Sequence, residues 1–150
     1  MIIRKAMKED ANILNSLFAK LIENERKYYD ENIKENLTMN GFFEKRIDEG
    51  NEIIFVAEEK SKILGYIYGY INVDNKIKKE LEANIDSLFV IEEQRNKKIG
   101  TNLINKFIEE VKNKNCKYIL IDNKYLNNKA GKLYNNLGFD IFIENRRIKV

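Results

Sequence analysis

Apolar residues recur along this chain with two different spacings, and the switches between them mark the elements. Ile2 to Ala6 reads as a short strand. Beyond Asp10, placed to cap a helix, Ile13, Leu14, Leu17, Phe18, Leu21 and Ile22 fall on one face of a 3.6-residue period. The stretch from Ile33 to Ile47 predicts a weaker second helix. Two apolar runs, Ile53 to Ala57 and Ile63 to Val73, flank the polar turn Glu58 to Lys62 and predict an antiparallel hairpin. Ile85 to Val90 predicts a further strand, with a polar segment after it. Helical spacing then returns at Ile99, Leu103, Ile104, Phe107, Ile108 and Val111, ending near Lys114. Tyr118 to Ile121 reads as a buried strand, and Asn128 to Leu137 as a short helix stopped by Gly138. Phe139 to Ile143 is expected as a strand and Arg147 to Val150 as a final edge strand. The resulting order, β-α-α-β-β-β-α-β-α-β, is that of a layered α/β domain. No linker or repeat divides it, so one domain over residues 1–150 is expected.

Composition narrows the chemistry. With 43% hydrophobic residues the chain can bury a core. The absence of His excludes a Ser-His-Asp triad, a His base and an imidazole metal site. A single Cys excludes an internal disulfide and a Cys-cluster zinc site, so no metal is expected. Cys116 precedes a buried strand and is expected to be structural. The net charge of +3 comes from lysines scattered among acids, without aromatics interleaved in a basic stripe, which argues against nucleic acid. The opening MIIRKAMKED does not resemble a signal peptide, and no run approaches the ~18 apolar residues of a membrane helix. A cytoplasmic protein without a membrane partner is the expectation. The excess of Ile, Lys and Asn is assigned to AT-rich coding.

Two segments carry chemistry. The first, Leu88-Phe89-Val90-Ile91-Glu92-Glu93-Gln94-Arg95-Asn96-Lys97-Lys98-Ile99-Gly100-Thr101, runs from a strand through a polar loop into a helix. A helix start exposes unpaired N–H groups and about half a positive charge, which suits an anion. Gly100 permits close approach of backbone to a phosphate, and Arg95, Lys97 and Lys98 add charge. The same features describe a solvated basic loop. The second segment is Asn127-Asn128-Lys129-Ala130-Gly131-Lys132-Leu133-Tyr134-Asn135-Asn136-Leu137-Gly138-Phe139. Leu133 and Leu137 point inward, with Tyr134 at the rim. Gly131 within a helix costs roughly 1 kcal/mol against Ala, which suggests close approach by a neighbour.

Together these segments resemble the GNAT superfamily of N-acetyltransferases over nearly the whole chain. In that family a strand is followed by Arg/Gln-x-x-Gly-x-Gly/Ala, which cradles the pyrophosphate of acetyl-CoA. A later Asn-x-x-Ala-x-x-Leu/Phe-Tyr-x-x-x-Gly-Phe motif matches here at Asn127, Ala130, Leu133, Tyr134, Gly138 and Phe139. The resemblance implies a mixed, mostly antiparallel central sheet flanked by helices, with acetyl-CoA as co-substrate. It implies coenzyme contacts at Leu88, Phe89, Val90, Arg95, Asn96, Lys97, Lys98, Ile99, Gly100, Thr101 and Asn127. One position departs from the pattern: Lys98 stands where the family usually has Gly. If that position needs positive φ, Lys98 costs about 1 kcal/mol or more.

The implied reaction is direct attack of a primary amine on the thioester in a ternary complex. An amine of pKa ~10.4 is neutral about once in 2,500 molecules at pH 7, so freeing its lone pair is worth roughly 4–5 kcal/mol. Alternation along the strand predicts that Asp86 shares a face with Leu88 and Val90. The resemblance makes Asp86 the base, acting through water; binding of a cationic substrate and plain surface are equally consistent with it. Backbone N–H groups near Phe89 and Val90 are expected to stabilise the oxyanion, and Tyr134 to protonate the leaving thiolate. The acceptor is a small-molecule or protein amine. Acidic and aromatic residues from Glu23 to Glu35 suit a cationic amine, but interleaved Arg26, Lys27 and Lys34 suit an ordinary helix end. A non-catalytic acyl-CoA-binding sensor on the same fold is the alternative, and both monomer and homodimer are compatible with a charged edge strand.

Overall fold

The computed structural model describes residues 1–74 and 76–149. Five strands form one sheet in the order β1-β2-β3-β4-β5: β1 (Ile2–Lys5), β2 (Ile53–Glu59), β3 (Lys62–Asn72), β4 (Glu82–Val90) and β5 (Tyr118–Ile121). The first four pair antiparallel, and β5 lies parallel to β4. Four helices flank them: α1 (Ala11–Tyr28), α2 (Phe42–Glu49), α3 (Ile99–Asn113) and α4 (Asn128–Asn136). This is the mixed, mostly antiparallel α/β arrangement expected.

The sheet separates two cores. On one face α3 lays Leu103, Ile104, Phe107 and Val111 against Phe55, Ile67 and Ile85, with Leu133, Tyr134 and Leu137 of α4 at its margin. On the other, Leu14 and Leu17 of α1 and Phe43 of α2 cover Val56, Tyr66 and Tyr68. Gly69 permits the first packing, because a Cβ there would collide with the Phe107 ring at 2.7 Å. Asn15 of α1 joins the helices on the second face. Its Oδ1 accepts the otherwise unpaired N–H of Phe43 at 3.1 Å, and its Nδ2 donates to Glu44 at 2.7 Å.

Three expectations change. The second helix begins at Phe42, since Gly41 enters it in the left-handed conformation (φ +78°) and residues 29–40 form turns and bends. Asp10 starts α1 without capping it by its side chain. Its carboxylate instead accepts the Met7 N–H at 2.8 Å and the Arg4 guanidinium at 2.6 and 3.0 Å. Residues 139–149 form no strand: Ile141 and Ile143 are 92% and 67% exposed, and the segment does not pair with the outer edge of β5, which stays open among the described residues. Charge ties it down instead, with Arg147 on Asp30 at 2.7 Å and Lys149 on Glu31 at 3.2 Å. The last residue of the expected edge strand, Val150, lies outside the described residues. No helix among the described residues is long and apolar enough to cross a membrane.

Burial of Asp10 opposes its ionisation, but hydrogen bonds from Arg4 and Met7 outweigh that and hold its carboxyl below the usual range. A carboxylate whose pKa is lower folded than unfolded stabilises the protein above the unfolded value, and that contribution fades as pH falls through the folded value. Asp10→Ala is therefore expected to cost about 2–3 kcal/mol near neutrality, typical of a charged hydrogen bond. Urea unfolding should show the gap between variant and wild type narrowing in acid.

Candidate active site

β4 and β5 run together only as far as the pair Ile85 and Ile121. Beyond it β5 stops while β4 continues to Val90, and a cleft of about 330 Å³ opens in the gap. Its lining comes from both faces of the sheet: Leu21 and Glu25 of α1 on one side, Gly100 of α3 and Leu133 of α4 on the other.

The strand that borders the gap is irregular where it matters. Tyr68 pairs with Ser87 and Gly69 with Ile85, which leaves Asp86 as the extra residue of a β-bulge. The expectation that Asp86 shares a face with Leu88 and Val90 by simple alternation is thus corrected: Ile85 joins Leu88 and Val90 on the α3-side core, and the bulge turns Asp86 into the cleft. Asp86 is solvent-accessible there, yet the cleft walls strip part of its hydration and push its carboxyl up. Nearby Arg46 opposes that rise, while Glu52 and Asp122 add to it.

Backbone direction on β4 follows from one hydrogen bond. The Ile91 N–H donates to the Leu64 carbonyl of β3 at 2.9 Å, so by ladder alternation the Phe89 N–H also faces β3. The N–H groups of Leu88 and Val90 therefore point to the side that β5 has vacated. Phe89 drops out of the expected site, with its side chain in the α1-side core. Leu88 and Val90 line the cleft.

The loop after β4 supplies positive charge. Arg95 donates from Nε to the Val90 carbonyl at 3.1 Å, which fixes the guanidinium at the cleft margin. Asn96 and Lys98 both adopt left-handed backbone, at φ 64° and 61°. Lys98 is the N-cap of α3, and the first bond of the helix runs from the Asn102 N–H to the Lys98 carbonyl at 3.0 Å. The N–H groups of Ile99, Gly100 and Thr101 precede that bond and are left for another acceptor. All three residues line the cleft with Arg95, Asn96 and Lys98. Lys97 does not, since its ammonium turns to Gln94 Oε1 at 2.8 Å. Gly100 has ordinary φ, and a Cβ there would touch Leu133 at 3.4 Å, so close approach rather than backbone freedom explains it.

On the opposite wall Asn127 caps α4, its Oδ1 accepting the Ala130 N–H at 3.2 Å. Gly131 is explained by Asn123, whose Nδ2 would lie 3.2 Å from a Cβ. Tyr134 lines the cleft with its ring 6.0 Å from Phe139. Burial, with the charge of Glu25 adding to it, pushes its hydroxyl up to about 12, so it keeps its proton at neutral pH. Cys116 is buried away from this cleft and its thiol is also pushed up by burial, in keeping with a structural role.

Glu25 belongs to the acidic stretch from Glu23 to Glu35 that suited a cationic amine and an ordinary helix end alike. The structure sets it in the cleft. Burial raises its carboxyl, Lys124 opposes the rise, and Asp30 and Asp86 reinforce it. Its signal lay in the helical period: Leu14, Leu17 and Leu21 share the inward face of α1, and four residues on that face carries a carboxylate. The site is bipolar as a result. Arg95 and Lys98 stand with free helix N–H groups at the start of α3. Glu25, Asp86 and Asp122 come from α1, β4 and the end of β5, with Lys124 beside Glu25 and Lys129 also in the lining.

Comparison with known proteins gives a consistent picture. Residues 15–139 match the model of the acetyltransferase (GNAT) family. An uncharacterized N-acetyltransferase of Methanocaldococcus jannaschii is 30% identical over 138 residues, 92% of this chain; the chain spans 60% of that relative's length. A mutant of the BH1408 protein from Bacillus halodurans superimposes with a TM-score of 0.89 at 20% identity, covering 100% of this chain and 99% of that one. An aminoglycoside acetyltransferase from an uncultured soil metagenomic sample gives 0.75 at 20% identity, covering 99% and 97%. The solved structures show likeness of fold.

Left-handed backbone at Lys98 tests how the cradle is held. Glycine there relieves strain of about 1 kcal/mol, offset in part by its greater chain entropy. Lys98→Gly is expected to leave thermal stability unchanged or raise it slightly. Lys98→Val, with a β-branched side chain in the same conformation, should lower it by about 1 kcal/mol or more, read by thermal or urea unfolding.

Proposed function

The chain belongs to the acetyltransferase (GNAT) family, and from that premise we propose that it transfers the acetyl group of acetyl-CoA to a primary amine by direct attack in a ternary complex. The observation that carries this reading is the bipolar cleft through the parted sheet. An anionic coenzyme suits the end with Arg95, Lys98 and the exposed N–H groups of α3. A cationic amine suits the end with Asp86 and Glu25. Because the lining comes from both faces of the sheet, the two reactants can approach from opposite sides and meet at the gap.

The residues present fit such a coenzyme. Ile99, Gly100 and Thr101 would donate backbone N–H groups to its pyrophosphate, with Arg95, Asn96 and Lys98 around it. Leu88 and Val90 would supply the wall along its arm, with Asn127 facing them. When bound, it supplies an acetyl group activated as a thioester.

The chain's own groups then have separate tasks. Asp86, ionised and facing the cleft, takes the proton of the substrate ammonium through a water. The freed nitrogen forms a C–N bond at the acetyl carbon as the C–S bond breaks. The second proton that the nitrogen sheds on becoming an amide restores the Tyr134 hydroxyl after it has protonated the thiolate. The outward N–H groups of Leu88 and Val90 stabilise charge growing on the carbonyl oxygen. Tyr134, still protonated at neutral pH, gives its proton to the departing thiolate. No covalent enzyme intermediate is needed, in keeping with an inert Cys116.

Tyr134→Phe is expected to lower turnover at least about tenfold while coenzyme affinity changes little, as for loss of a general acid. Wild-type turnover in that variant, measured by free-thiol release from acetyl-CoA, would remove Tyr134 from the mechanism. The pH profile tests Asp86. A base must be unprotonated, and its carboxyl is raised, so activity should fall on acidification at a pH above the usual Asp value of about 3.9. Asp86→Asn should flatten that acid limb and lower the rate.

A further inference from the structure

The acceptor end of the cleft is built for more positive charge than one amine carries. Glu25 lies on its α1 wall, away from Arg95 and Lys98. Glu25, Asp86 and Tyr134 line the same cleft, so Glu25 shares a chamber with the proposed base and acid. The cation closest to it is Lys124, whose Nζ is 3.9 Å away, beyond hydrogen-bonding distance. Lys124 also lies 3.8 Å from Asp30, which already holds Arg147 at 2.7 Å. It therefore forms a long ion pair with each carboxylate and a hydrogen bond with neither. Asp122 adds a third carboxylate to the lining, beside Glu25 and Asp86.

An independent feature points to a polar ligand here. Ser87, next to Asp86 in the bulge, is only 4% exposed and also lines the cleft, and its Oγ completes no hydrogen bond. The Tyr66 hydroxyl faces Ser87 from the buried α1-side core and does not reach the cleft. Buried hydroxyls left without partners cost free energy, and a group that donates hydrogen bonds into the chamber would recover it. An ammonium has donors and no acceptors, which suits the Ser87 oxygen and the carboxylates of the lining.

We propose that Glu25 is a specificity-determining residue that holds a second ammonium of the acceptor, so that the preferred substrate is a diamine with one nitrogen at Asp86 and the other at Glu25. This rests on the acetyl-transfer reading above. The reacting nitrogen loses its charge as the amide forms, and the distal ammonium is unchanged in the product.

The test compares putrescine with n-butylamine, which share a four-carbon chain and differ in the second amine, by free-thiol release from acetyl-CoA. The wild-type protein is expected to favour putrescine in kcat/KM by at least about tenfold, with the difference in KM. Glu25→Gln, nearly isosteric, should bring that ratio close to one, and Glu25→Asp should keep part of it. Retained coenzyme binding shows that each variant is folded. Equal use of the two amines by wild type, or a ratio that survives Glu25→Gln, overturns the proposal. Thiol release with no amine at all overturns the acetyl-transfer reading and this inference with it.

Discussion

The parting of β4 from β5 is the constraint on which the rest of the site depends. A parallel pair that continued past Ile85 and Ile121 would satisfy the N–H groups of Leu88 and Val90 within the sheet. Because β5 ends, those groups and the flank of β4 are left open. The two hydrophobic cores keep the gap from collapsing. α3 packs on one face through Phe107 and Leu103, and α1 with α2 packs on the other through Leu14 and Phe43. Close-packed interiors of this kind do not deform continuously, so the opening is held by the body of the protein.

Two stretches of irregular backbone border this gap. The bulge at Asp86 breaks the period of β4, and the turn into α3 places Asn96 and Lys98 in left-handed conformations. Each carries a cost that surrounding packing must cover, and each aims a group into the cleft. Lys98 is informative because glycine would adopt the same turn with less strain. The chain keeps the cradle and gains an ammonium at its margin. Arg95, tied to the end of β4, adds charge that moves little.

The electrostatic layout follows from which elements meet there. The start of α3 contributes positive potential, and α1 reaches across the opposite face to set Glu25 near Asp86 and Tyr134. Partial desolvation raises both carboxyls and the phenol. The cleft thus holds groups that accept a proton or a cation, together with a phenol that keeps its proton. That pairing is what amine acylation requires at neutral pH.

Much of this was legible in the chain. Periodicity placed the start of α3 at Ile99, since that helix buries a regular apolar face. It also placed β5 at its observed bounds, although the strand expected to be buried is only half-buried, with Tyr118 exposed. The loop from Arg95 to Thr101 and the segment from Asn127 to Phe139 identified the two walls of the cleft, because helix starts and caps depend on local residue types. Other features required the fold. The bulge at Asp86 arises from register between β3 and β4, and spacing along one strand cannot reveal a residue that its partner skips. Glu25 lies far from the other site residues in sequence, and only the docking of α1 makes it part of the cleft. The apolar run after Gly138 has the spacing of a strand but forms none: spacing does not specify pairing, and the segment leaves the outer edge of β5 open while Arg147 and Lys149 hold it on Asp30 and Glu31. Sequence determined which segments could bury a face and which could bind an anion; tertiary structure decided which strand edges were left open and which charges were brought together there.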